Sequence, residues 1–295
     1  MIAAVGISNF ILTRYPPVMS SVYAVALGTG GIGLFAALAG HRITAGAIPL
    51  LATVTVTLLA DLLIMRVIDD IRDQDYDRIA NPQRPVASGA VAQRDLYPLC
   101  ALCVTTIVAA NLFFHAGMVV IVAQLLYAAA VLAVGQRFPA TRGDNLVLNL
   151  LIGFPVQLLL YVYLFVAFIE IQQEAPDANV GAVGILILTL CAGQLEFGKK
   201  LARRPAAGER SYSNSFGYLT TVLLTTGSGP LAVALFVVAA QVSPLSKAFV
   251  VLPAIGVAAF GIKYVSGEDN RWPAAVSALG LLGTLVASAV VGAVG

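Results

Sequence analysis

Long runs of apolar residues, broken only by short polar clusters, recur along the whole chain. They fall at about Val18–Leu38, Ala47–Ile68, Leu96–Phe114, Met118–Val134, Leu146–Ile169, Val180–Leu195, Tyr218–Ala240, Ala248–Ile262 and Ala274–Val294. Each comes close to the ~20 residues that a helix needs to cross roughly 30 Å of hydrocarbon. No alternation of apolar and polar positions is long enough for the strands of a membrane barrel. The pattern predicts an all-α polytopic membrane protein of nine transmembrane helices. No long hydrophilic stretch interrupts the runs, so residues 1–295 read as a single transmembrane domain.

Composition supports the membrane reading. Of the 295 residues, 59% are hydrophobic and only 11% charged, far from the roughly one-quarter charged of soluble domains. The placement of the basic residues then tests the helix count. With a cytoplasmic amino terminus and nine crossings, the inner segments hold Arg14, Arg66, Arg72, Arg78, Arg84, Arg94, Arg137, Arg142, Lys199, Lys200, Arg203, Arg204, Arg210, Lys263 and Arg271, leaving only Arg42 and Lys247 outside. Changing the count by one destroys this positive-inside asymmetry. The segment before Arg14 has the wrong length and flanks for a cleaved signal, so no targeting sequence is expected.

The polar clusters at the ends of the runs carry the chemistry. Five of the fifteen acids, Asp69, Asp70, Asp73, Asp75 and Asp77, fall within nine residues directly after the second apolar run. On a helix, Asp70, Asp73 and Asp77 lie within about 60° of one another, with Asp69 beside them and Asp75 pointing elsewhere. Four carboxylates on one face repel unless a multivalent cation collects them. An all-oxygen donor set suits Mg²⁺, which takes one or two carboxylates and completes its shell with waters and substrate phosphates. The expected ligand is therefore a diphosphate carried on an apolar molecule.

Other features exclude competing chemistry. Cys100 and Cys103 form a Cys-x-x-Cys, but within an apolar helix and without a second pair, where small buried residues are expected. His41 and His115 fall on the outer side, away from the acids. Neither a phosphate-binding glycine loop nor a nucleic-acid signature is present. A second charged cap, Lys199–Gly217, follows the sixth run and, like the first, turns through proline and glycine. The two caps are expected to face a central cavity between the helices.

The segment Asp69-Asp70-x-x-Asp73-x-x-x-Asp77, followed by Asn81-Pro82-Gln83-Arg84-Pro85-x-x-Ser88-Gly89, resembles the first aspartate-rich signature of the UbiA superfamily of intramembrane prenyltransferases. The helix count, the cytoplasmic amino terminus and the basic loop with Arg137 and Arg142 are similar as well. The resemblance implies that Asp69, Asp70, Asp73 and Asp77 bind Mg²⁺ bridged to an isoprenyl diphosphate, with Asp70, Asp73 and Asp77 catalytic. It also implies that Arg84, Arg137 and Arg142 hold the diphosphate and that the lipid tail lies among the helices. Two positions depart from the family pattern. Asp69 stands where the family commonly has Asn. At the end of the sixth helix, where the family usually carries another aspartate-rich motif, this chain has Gln194-Leu195-Glu196-Phe197-Gly198-Lys199-Lys200 and then Glu209-Arg210-Ser211-Tyr212-Ser213. Glu196 shares a helical face with Lys199 and Lys200. The resemblance makes Glu196 a metal-binding and catalytic candidate, with Lys199, Lys200 and Tyr212 as diphosphate contacts; the competing reading is a salt-bridged helix end.

Two outcomes follow from ionising an allylic diphosphate. An acceptor, aromatic or otherwise hydrophobic, captures the carbocation in a prenyltransferase; the substrate's own double bonds capture it in a terpene cyclase, an activity the same superfamily hosts. Polar groups able to orient an acceptor are few: Ser20, Ser21, Asn149, Gln157 and Asp61. That scarcity and the altered second motif favour cyclisation, whereas the family resemblance favours transfer, which is the leading expectation. A transporter has no need for four clustered carboxylates. Asp61, about two turns inside the second apolar run, reads equally as a pocket base, an acceptor-binding group or a hydrogen-bonded structural acid.

Overall fold

The structure is a computed structural model and describes residues 2–138, 146–206 and 208–294. The apolar runs become helices in chain order: α1 (Ile2–Arg14), α2 (Pro17–Ala39), α3 (Ile48–Arg72), α4 (Gln74–Ala80), α5 (Gln93–Ala110), α6 (His115–Arg137), α7 (Leu146–Gln172), α8 (Ala178–Lys199), α9 (Tyr212–Phe216), α10 (Tyr218–Ala239), α11 (Pro244–Ser266) and α12 (Ala274–Val294). Among the described residues the nearest approach to a sheet is one isolated antiparallel bridge between Ala202 and Arg271. The protein is all-α and integral to a membrane.

Eight helices among the described residues, not the expected nine, are long and apolar enough to cross a bilayer. The difference is α5. It forms where expected, but its 18 residues open with Gln93, Arg94 and Asp95, so the polar first turn leaves an apolar stretch short of the usual ~20 residues. α1, outside the expected spans, is a thirteen-residue helix.

The chain divides into two compact units. The first comprises Met1–Val25 and Pro49–Leu160. Its core near the end of α3 gathers Phe10 of α1, Val67 and Ile71 of α3, Val86 and Val91 of the following turn, and Leu96 of α5. Polar bonds fasten the helices: the Asn111 amide donates to the Thr57 hydroxyl at 2.7 Å in a buried contact, and the half-buried Tyr127 donates to the Ile152 carbonyl at 3.0 Å. Such bonds matter in a membrane, where lipid is as apolar as the side chains and burial alone does not drive helices together.

The second unit comprises Ala26–Ile48 and Tyr161–Gly295. Here α8, α10, α11 and α12 pack on one another. The buried Gln194 side chain lies over Gly229 and Gly280, in notches that only glycine leaves open. The rear of α2 crosses α12 at Gly33 and Gly292, where a Cβ on Gly292 would stand 2.5 Å from the Gly33 Cα. Small residues permit this backbone approach, the usual device for helix association in lipid.

Overpacking that crossing should be costly. Gly292→Leu is expected to destabilise the protein by about 1–3 kcal/mol and lower its thermal midpoint in detergent by several degrees. Gly256→Leu, at an exposed position with no atom near the added carbon, should leave the midpoint unchanged. Equal midpoints for both variants would refute the tight crossing.

Candidate active site

The aspartate cluster sits where α3 gives way to α4. Asp73 caps α4 with φ −88° and ψ 2°, yet helical bonding runs across the junction: the Asp73 N–H donates to the Asp69 carbonyl at 2.9 Å, and the Asp77 N–H to the Asp73 carbonyl at 2.8 Å. The helical spacing of the acids therefore survives a change of helix. Their environments differ. Asp70 and Asp77 are buried, at 3% and 2% exposure, Asp73 is half-buried, and Asp69 and Asp75 are exposed.

Each buried carboxylate is met by an arginine. Arg14, the last residue of α1, forks onto Asp70, with Nε 2.7 Å from one oxygen and Nη2 2.6 Å from the other. Arg84 donates to Asp77 at 2.5 Å, and the Asn81 amide donates to the other Asp77 oxygen at 2.8 Å. The Asp70 hydrogen bond, with the charges of Asp70, Asp77 and Asp69 behind it, raises the Arg14 pKa further above its already high ordinary value. Arg14 is the functional candidate that sequence reading missed. It lies 56 residues from Asp70, so no local spacing links them.

The Asn-Pro-Gln-Arg-Pro-x-x-Ser-Gly segment is the turn that aims Arg84. The Arg84 N–H donates to the Asn81 carbonyl at 3.0 Å, Ser88 N–H to the Arg84 carbonyl at 2.8 Å, and Val91 N–H to the Pro85 carbonyl at 3.0 Å. Gly89 adopts φ +78°, a left-handed conformation that disfavours any residue with a Cβ. The Ser88 hydroxyl donates to the Pro85 carbonyl at 3.2 Å. Val86 and Val91 drop from this turn into the core with Phe10, which ties the turn and α1 to the end of α3.

In the second unit, Glu196 lies near the end of α8. Lys200 approaches one of its oxygens at 2.9 Å and Lys199 the other at 3.9 Å. The Tyr212 hydroxyl of α9 donates to Glu196 at 3.0 Å. Tyr212 is itself enclosed by Phe197, with ring centroids 5.0 Å apart, and by Phe216, stacked at 5.8 Å. Burial first, and then the neighbouring Glu196 charge, push the Tyr212 phenol up, so that it stays protonated and remains a donor. α9 is held in place by the Ser211 hydroxyl and the Tyr212 N–H, both donating to the Lys200 carbonyl, at 2.8 and 3.3 Å. Glu196, Lys199, Lys200 and Tyr212 are thus brought together.

The remaining candidates scatter. Arg137 is exposed at the end of α6, and Arg142 lies outside the described residues. Asn149, a candidate acceptor-binding group, accepts from Arg72 at 2.9 Å. Asp61 is fully buried. Its polar neighbour is the Gln124 amide of α6, and the two side chains stand just outside hydrogen-bonding geometry. A cavity of about 310 Å³, lined in part by His41, Phe168, Glu174 and Asp177, sits at the opposite end of α8 from Glu196.

The aspartate cluster fits a hard divalent cation in its donor chemistry, since every side chain offered is a carboxylate. It differs from the expected four-carboxylate face in its arrangement. Among the described residues no three His, Cys, Asp or Glu side chains converge into a ready metal cage, because the buried Asp70 and Asp77 turn their oxygens to Arg14, Arg84 and Asn81. Mg²⁺ does not require such a cage: one or two carboxylates suffice when phosphate oxygens and water supply the rest.

No protein-family model matches the chain, and no curated protein matches it in sequence. The fold is similar to a solved structure of digeranylgeranylglyceryl phosphate synthase, a membrane protein. The two share 16% sequence identity and superpose with a TM-score of 0.57, over 98% of this chain and 99% of that one.

Proposed function

We propose that this protein is an intramembrane prenyltransferase of the UbiA type that ionises an isoprenyl diphosphate and passes the prenyl group to an acceptor. The observation that carries the reading is the aspartate cluster with its Asn-Pro-Gln-Arg-Pro turn at the end of a membrane helix, in a fold shared end to end with a digeranylgeranylglyceryl phosphate synthase. That end-to-end likeness also supports reading the chain as one domain of this type.

The reaction follows from charge. The allylic carbon–oxygen bond breaks, its electron pair leaves with the diphosphate, and the prenyl carbon is left cationic until the acceptor's electrons reach it and the acceptor releases a proton. Mg²⁺, held by Asp70, Asp73 and Asp77 with Asp69 at the rim, would neutralise charge developing on the leaving group. Arg84 and Arg137 add fixed positive charge toward the diphosphate. We assign a parallel role to the Glu196 group, with Lys199, Lys200 and Tyr212 as phosphate contacts. Lysine and tyrosine at this position supply the positive charge and hydrogen-bond donors that compensate for the absence of further aspartates.

The basic-residue asymmetry supports nine crossings, with α5 as the ninth, a cytoplasmic amino terminus and both charged caps on the cytoplasmic side. Cysteines introduced beside Arg78 and Arg204 should then be labelled only from the cytoplasmic face, and one beside Glu174 only from outside. Labelling of Arg78 and Arg204 neighbours from opposite faces would refute this topology.

The activity test is turnover by purified protein of geranyl, farnesyl and geranylgeranyl diphosphates, each with and without aromatic and polar-headgroup acceptors. Transfer should require Mg²⁺ or Mn²⁺, stop in chelator, and vanish in a folded Asp73→Ala variant. Full activity in chelator would sink the metal role. A cyclic terpene formed from the diphosphate alone, at a rate no acceptor improves, would replace transfer with cyclisation.

Glu196→Gln should lower kcat by more than about tenfold, the scale of losing one contact to the leaving group. A near-normal rate would reduce Glu196 to a salt-bridged helix end.

A further inference from the structure

Arg14 closes the aspartate cluster against the very cation the cluster is suited to bind. Both oxygens of Asp70 are engaged by its fork at 2.6 and 2.7 Å, and the Asp70 side chain is only 2% exposed. With the side chain so little exposed, opening the fork is what would free both oxygens for a divalent cation. The other arginine pair is different in kind. Arg84 and Asp77 belong to one turn, seven residues apart, and the turn's own backbone bonds fix their relation. Arg14 arrives from a separate helix.

We propose that Arg14 is a diphosphate-binding residue held in reserve: it neutralises Asp70 before substrate arrives, and turns its guanidinium onto the phosphate oxygens when a divalent cation takes over the Asp70 carboxylate. The inference rests on the reading of Asp70 as a metal ligand and of a diphosphate as the substrate group.

Three observations carry it. The guanidinium fork matches carboxylate and phosphate oxygens alike, so the same group serves both partners. The backbone on either side of Arg14 is anchored, by Phe10 in the core beneath the motif turn and by the Tyr15 hydroxyl donating to the Leu59 carbonyl at 2.7 Å. Rotation of one long side chain therefore makes the exchange without moving α1. Finally, Arg14 feels Asp69 and Asp77 as well as Asp70, so it is a shared counter-charge of the cluster. Replacing its single charge by a divalent ion leaves the arginine next to newly bound phosphate. The consequence is reciprocal coupling: metal without diphosphate must compete with Arg14, and diphosphate makes that competition easier by accepting the arginine.

The full-length protein in detergent, titrated with Mn²⁺ by electron paramagnetic resonance with and without inorganic pyrophosphate, tests this without turnover. In the unaltered protein pyrophosphate should tighten Mn²⁺ binding about fivefold or more, the ordinary scale of coupled sites. Arg14→Gln removes the competitor, so Mn²⁺ alone should bind about threefold or more tightly, while the pyrophosphate enhancement falls to within about twofold. Arg14→Lys keeps the charge but loses the fork, retains a counter-ion for Asp70 if the Gln variant fails to fold, and should likewise lose at least half of the enhancement. An Arg14→Gln or Arg14→Lys protein that binds Mn²⁺ more weakly alone, or keeps the full enhancement, would overturn the exchange and leave Arg14 a structural ion pair. Asp70→Asn separates the two layers. If it binds Mn²⁺ with pyrophosphate as the unaltered protein does, Asp70 is no metal ligand and both readings fall. If it loses Mn²⁺ while the Arg14 variants keep the full enhancement, only the exchange falls.

Discussion

An ionised carboxylate withdrawn from water requires positive charge at hydrogen-bond distance, and where α3 gives way to α4 two arginine-paired carboxylates lie within eight residues. Desolvating a charge costs several kcal/mol, and removing one partner of a buried pair typically costs about 3–5 kcal/mol. Asp70 and Asp77 therefore dictate what surrounds them. Arg14 must reach Asp70, so α1 has to lie over the end of α3, and Phe10 and Gly6 of α1 pack against the Val86–Val91 turn to hold it there. Arg84 must reach Asp77, so the chain after α4 has to double back. Asn81, Pro85, Ser88 and the left-handed Gly89 bend it accordingly. The motif is as much a folding instruction as a chemical one.

The Glu196 group meets the same requirement less tightly. Its side chain is 32% exposed and its lysines more so, and ion pairs in that setting are worth little to stability, with a median near 0–1 kcal/mol. What fixes Glu196 instead is the Tyr212 hydroxyl and the rings around it, which are well packed and hold α9 close to the end of α8. A packed donor beside exposed ammonium groups is compatible with the phosphate-contact role proposed for this group.

The sequence made some of this legible and hid the rest for physical reasons. Apolar runs announce membrane helices because the requirement on length is strict, and all nine runs became helices. α5 is less apolar along its length than the other eight because its apolar stretch begins only after the charged first turn. The aspartate spacing survived since helical bonding crosses the Asp73 junction, even though burial separated Asp70 and Asp77 from Asp69 and Asp75, a distinction the angular pattern alone does not contain. The proximity of Glu196 to both lysines followed from i, i+3 and i+4 spacing, while Tyr212 joined them through a tertiary contact. In the sequence Arg14 reads only as a topogenic charge. Its partner is set by the docking of α1 through Phe10, which no local pattern records.

Asp61 bears on how the chain is made. An aspartate near the centre of a membrane helix raises the cost of insertion by about 2.5–3.5 kcal/mol, and α3 carries enough leucine, isoleucine and valine to enter the bilayer nonetheless. Its polar neighbour, Gln124, is on α6, 63 residues later in the chain. α3 is synthesised before that amide. The acid of α3 therefore precedes, in chain order, the amide that it meets in the folded protein. Asp61 thus gains its polar neighbour only once α6 has joined α3 in the membrane.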